Sequence, residues 1–216
     1  EKFTMKLKKI ASLMLAGVMA VSMLAGCSTN GNGGNGGEGE GQVNTDNLSA
    51  ASVIAELDKD TTDKVSFTAD DSVQNALNKS VKDMGAAITG VNAWTIATYT
   101  AEVGDIEYVT AFDFSQLNKK DADAQTLLWA TAIPAYDYSE KVAVDAIAAQ
   151  IDSMIDQMNL PENSAASVSV ANGDTYYKYS YAAKIATVKV ESSSGYNGYV
   201  AFLTLTATSS EAKVEL

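Results

Sequence analysis

Between Ser139 and Pro161 the apolar residues Val144, Ile147, Ala148, Ile151, Met154, Ile155 and Met158 recur at i, i+3, i+4 and i+7 over four turns. Such a stripe predicts an amphipathic helix that must bury one side against something else. The sequence beyond it supplies the something else. After Pro161 the period changes from helical to two, with strands expected over Ala166–Val170, Thr175–Ala182, Lys184–Glu191 and Gly198–Thr208. An Asn172-Gly173-Asp174 turn and a loop over Ser192–Asn197 separate them. A long one-sided helix next to strands joined by turns predicts a helix laid on a sheet.

The first half of the chain reads in the same alphabet. Ser49 can cap a short helix carrying Val53, Ile54 and Leu57, and a brief strand follows at Val65–Thr68. Asp70 and Asp71 stand where an N-cap belongs, Val73, Ala76, Leu77, Val81 and Met84 hold helical spacing, and Gly85 supplies the stop. From Val91 the spacing predicts a strand with Trp94 and Ile96 on one face and Ala97 and Tyr99 on the other. Gly104-Asp105 marks a turn, and Ile106, Tyr108, Thr110, Phe112 and Phe114 then alternate as a second strand, so the pair reads as a hairpin. Asp121 can cap a helix through Leu128 and Thr131, although Trp129–Ile133 also suits an extended chain; Pro134 closes the segment either way. The expected fold class is α+β: an antiparallel sheet built of hairpins with amphipathic helices packed on one face. A helix followed by hairpin strands occurs at 71–114 and again at 139–208, which suggests a duplicated unit.

The N-terminal region carries a different signal. Lys6, Lys8 and Lys9 precede an apolar run from Ile10, which ends in Leu24-Ala25-Gly26-Cys27, and Cys27 is the only cysteine. This arrangement resembles a bacterial lipoprotein signal peptide with its lipobox. The resemblance implies translation from Met5, a diacylglycerol on the Cys27 thiol, and cleavage on its N-terminal side. It also implies export, with the anchor on the outer side of the cytoplasmic membrane or in an outer membrane. The 17 residues Ile10–Gly26 lie at the lower limit for a membrane-spanning helix, and Gly17 and Ser22 interrupt them. The chain then divides into a signal peptide (1–26), the lipidated cysteine with a Gly/Asn-rich linker (27–46), and one α+β domain (47–216). Treated as a coil, the 19 linker residues after Cys27 give a tether of about 24 Å.

The whole chain has a formal charge of −12, and removal of residues 1–26 leaves 26 acidic residues against 11 lysines, or −15. Such a surface repels phosphate backbones, so nucleic acid is not an expected partner. Attraction to anionic lipid is disfavoured for the same reason, which leaves the acyl chains as the membrane contact. Histidine and arginine are both absent. Histidine-based triads and dyads, histidine-ligated zinc and arginine clamps on phosphate therefore lie outside this chain's means.

Carboxylates and tyrosines remain. Asp105 and Glu107, two apart, can approach the pairing a glycosidase needs, although solvation of the outer face of a hairpin is the preferred explanation of them. Asp58, Asp60 and Asp63 crowd one stretch and make weak calcium candidates, lacking the glycine and glutamate of an EF-hand loop. Tyr177, Tyr179 and Tyr181 share one strand face, with Tyr196 and Tyr199 bracketing the next turn. They form either a binding face for sugars or proteins or a row packed beneath the long helix. The expectation is a lipid-anchored cell-surface protein with a non-enzymatic binding or structural role, no cofactor, and a surface glycan or protein as ligand. A carboxylate-dependent glycan-active enzyme is the competing class.

Overall fold

The computed structural model describes residues 43–46, 49–85, 92–134, 139–164, 174–192 and 197–214, all within the unit Gly41–Leu216. Its centre is a long antiparallel pair, β4 (Thr175–Ser192) and β5 (Asn197–Lys213), in register from Thr175↔Lys213 to Glu191↔Asn197. β3 (Gln125–Pro134) runs antiparallel along the far side of β5. The other edge of β4 takes two short strands in tandem, β2 (Val65–Ala69) in parallel and β1 (Val43–Asp46) antiparallel. The fold is α+β with a mostly antiparallel, five-stranded sheet. β1 occupies residues expected in the linker, so strand pairing already includes Val43–Asp46.

Helices cover both faces of this sheet, not one. Tyr179, Tyr181, Ala183 and Ile185 of β4 and Tyr199, Ala201, Leu203 and Leu205 of β5 form one buried face. It packs against α1 (Ala50–Ala55), through Val53, and α6 (Glu140–Met158), through Val144, Ile147, Ala148, Ile151 and Ile155. The opposite face, with Ala186, Val188 and Val190 of β4 and Val200 and Phe202 of β5, lies under α3 (Asp71–Met84) and α4 (Ala93–Val103). This second layer reaches only the C-terminal half of β4. Ala182 and Lys184, on the same side but earlier in the strand, are exposed. That change of surroundings, from half-solvated to doubly buried, is why one 18-residue strand reads as two in the sequence.

The expected caps close their helices. The Ser49 side chain accepts from the Ser52 N–H (3.4 Å), Ser139 from Val142 (3.5 Å), and Asp70 from the Ser72 and Val73 N–H groups (both 3.0 Å). Gly85 takes φ +52° at the end of α3, and Asn159 ends α6 in the left-handed region.

The expected hairpin over 91–114 does not form. Its first half is α4, whose Asn92 cap accepts from the Thr95 N–H at 2.8 Å. Its β-branched and aromatic residues cost a helix only tenths of a kcal/mol each, whereas burying Ile96, Ala97 and Ala101 against the sheet returns more: a fully buried isoleucine alone is worth roughly 2 kcal/mol. Gly104 follows where a Cβ would stand 3.0 Å from Ala76 Cβ of α3. The second half, 106–113, forms no strand and bends at Thr110 and Ala111; it runs past the outer edge of β3, backbone bonding to backbone at a single point. Ile106 packs on one face of the sheet, Phe112 on the other, and the Val109 N–H donates to Thr126 O (2.8 Å) between them. Gln125 and the Asp113 backbone exchange two hydrogen bonds, 2.6 and 3.0 Å, before the short α5 (Phe114–Leu117). With a second helix in place of a hairpin, the first half does not repeat the second. The helix expected from Asp121 through Thr131 does not form: Asp121 sits in a turn with φ +55°, and the extended alternative at Trp129–Ile133 is part of a longer strand, β3, that starts at Gln125. The expected strand at Ala166–Val170 lies outside the described residues.

Candidate functional site

The tyrosine row faces inward. Tyr179 and Tyr181 are only 9% and 7% exposed, and Tyr199 is buried on the same face toward the other end of the pair, opposite Lys189. The Tyr179 ring meets Phe114 with centroids 5.0 Å apart, and its hydroxyl donates to Asn118 Oδ1. Tyr181 packs against Phe112 (6.2 Å) and donates to the Pro161 carbonyl (2.7 Å). Burial pushes both phenols above their ordinary range. Tyr177 is half-buried against the same cluster, and Tyr196 lies outside the described residues. A binding face built on Tyr177, Tyr179, Tyr181 and Tyr199 is therefore replaced by a core row, because α6 and the Phe112–Phe114 segment cover the side of β4 on which these rings stand.

The aspartates do not converge either. Asp58 precedes α2 (Lys59–Lys64), which contains Asp60 and Asp63, and Asp63 is paired with Lys59 one turn away. Among the described residues no group of three or more acidic side chains is placed to hold a metal ion. Asp58 instead borders an open groove of about 520 Å³ between α1 and α6, lined also by Glu56, Asp145, Asp152 and Asp156. Those carboxylates tie elements together. The Asp58 N–H donates to both Asp152 oxygens (3.2 and 3.3 Å), Lys64 binds Asp156 (3.1 Å), and Lys141 binds Asp145 (2.9 Å) and approaches Glu56 (3.9 Å). Asp105 and Glu107 are exposed on the turn and segment after α4, not on a common strand face.

A site that the sequence reading missed lies on α4. With Ile96, Ala97, Thr100 and Ala101 turned to the sheet, helical geometry sends Trp94, Thr95, Thr98, Tyr99 and Glu102 outward. The next segment folds back along that outer face, held by the Ile106 N–H donating to Ala101 O (2.8 Å). Thr95, Thr98, Tyr99, Glu102, Ile106 and Tyr108 line an open groove of about 350 Å³. At its end Tyr108 meets Trp94 edge-to-face, with ring centroids 6.0 Å apart and planes at 82°. These two rings, 49% and 41% exposed, are the large exposed aromatics among the described residues.

The polar rim is biased toward acceptors. Thr95 Oγ1 donates to Asn92 Oδ1 (3.1 Å), Thr98 Oγ1 to Trp94 O (3.0 Å) and Tyr99 Oη to Asp83 Oδ2 (3.5 Å), so these hydroxyls retain lone pairs and not hydrogens for a visitor. Asp83 is itself held by Lys79 (2.6 Å), which keeps its carboxyl below the usual range. The clue in the sequence was the small and apolar set at 96, 97, 100 and 101 behind an asparagine cap, a helical spacing masked by β-branched composition. Comparison of the chain with protein-family models, curated proteins and solved structures finds no match in any of the three.

Proposed function

We propose that this chain is a lipid-anchored cell-surface protein that binds its ligand without transforming it, through the groove between α4 and the segment 106–108. The observation that carries the binding reading is the contact of Trp94 and Tyr108 in the open. Exposed aromatic rings stay unfavourably hydrated unless a partner covers them, and Trp and Tyr supply most contact energy per residue at recognition sites. The anchor rests on the lipobox at Leu24–Cys27 and its basic, apolar approach.

Two experiments test the two halves. Metabolic labelling with a fatty-acid probe is expected to mark the wild type and not Cys27→Ala, and the labelled protein is expected to stay with membranes through a salt wash, as two acyl chains permit. An unlabelled, soluble wild type refutes the anchor. A screen against polysaccharides and peptides that scores binding and cleavage separately is expected to find binding alone, lost in Trp94→Ala. Turnover of any bound polymer refutes the non-enzymatic reading.

A further inference from the structure

We infer that the groove on α4 receives a cationic side chain, arginine or lysine, from a basic segment of a partner polypeptide. The inference rests on the reading of this groove as a binding site and names what enters it. Three features select a cation. The π-faces of Trp94 and Tyr108 attract one, tryptophan most strongly of the side chains. The hydroxyls of Thr95, Thr98 and Tyr99 offer acceptors to its N–H groups. Glu102 lines the groove, and Asp105 and Glu107 flank Ile106; among the described residues none of the three carboxylates makes an ion pair. Of the α3 lysines near Asp83, the carboxylate that takes the Tyr99 hydroxyl, Lys79 is already paired with it.

The shape selects a polypeptide over a free small cation. Small-ligand sites bury most of their ligand, whereas both aromatic rings here face solvent and the recess is shallow. A single ammonium or guanidinium would gain too little alone. Carried on a chain, it brings neighbouring basic residues within reach of the carboxylates outside the recess and of a protein whose charge is −12. Arginine suits the site best, since its planar fork stacks on a ring while its N–H groups face the Thr95 and Thr98 hydroxyls, with the Glu102 charge further along the groove. This chain contains no arginine, so such a partner must be a different protein.

The test is calorimetric titration of the full chain, in non-ionic detergent, with a ten-residue Arg/Ser peptide, its Glu/Ser counterpart and a neutral oligosaccharide. Saturable binding of the arginine peptide alone is expected. It should weaken about fivefold from low to physiological salt, by at least about threefold in Glu102→Gln and by at least about tenfold in Trp94→Leu. Both side chains are exposed, and unchanged unfolding midpoints exclude a folding defect. Saturable binding of the oligosaccharide, insensitive to salt and to Glu102→Gln but lost in Trp94→Leu, overturns the cation assignment and leaves the binding groove standing. Peptide binding untouched by Trp94→Leu, or no binding of any probe, overturns the inference and the groove together.

Discussion

Replacing Tyr179 by alanine tests the central correction, that the tyrosine row is core. The side chain is 9% exposed, its ring packs on Phe114 at 5.0 Å, and it belongs to the cluster beneath α6. Truncation removes the transfer energy of the ring and leaves a cavity, together about 3 to 5 kcal/mol, within which the ring pair accounts for about 1 kcal/mol. The lost hydroxyl adds little, because Asn118 is exposed and water can replace the phenol. Tyr179→Phe separates the two contributions and is expected to cost about 0.5 kcal/mol. Urea unfolding followed by far-UV circular dichroism reads both. With a slope of about 2 kcal/mol/M, Tyr179→Ala should lower the midpoint by about 2 M and Tyr179→Phe by about 0.3 M. A Tyr179→Ala protein within about 0.5 kcal/mol of wild type, at unchanged slope, refutes the core assignment, because only an exposed ring can be removed so cheaply.

Asp70 caps α3 and pairs with Lys184 at 2.6 Å; burial works to raise its carboxyl, but the hydrogen bonds from Lys184, Ser72 and the Val73 N–H outweigh it and hold the group at about 2. Its contribution is therefore complete above the unfolded value near 3.8 and lost as pH falls toward about 2, so Asp70→Asn should remove about 1 kcal/mol of acid-dependent stability, after allowance for screening, in unfolding curves measured between those limits. Among the described residues the buried Thr100 hydroxyl has no hydrogen-bond partner, so Thr100→Val is expected to raise stability by about 1 kcal/mol in thermal unfolding, and a loss of that size would mean that the hydroxyl is satisfied in solution.

The sequence by itself determined whatever is settled within a few residues. The caps at Ser49, Asp70 and Ser139, the stop at Gly85 and the stripe of α6 were legible, because a helix end needs a local oxygen and a one-sided helix needs a one-sided pattern. The α+β class followed from the change of period after Pro161. Where local preference and burial disagreed, only the tertiary structure could decide. Trp94–Tyr99 has the composition of a strand, yet a free face of β3, β4 and β5 was there to cover, and the burial of Ile96, Ala97 and Ala101 outweighs propensities worth tenths of a kcal/mol. The inward tyrosines and the outward Trp94–Tyr108 pair follow from the same cause. Periodicity shows which side chains share a face, but whether that face meets water or protein depends on where α6, α4 and the 106–113 segment come to rest, and those positions are fixed by contacts far apart in the chain.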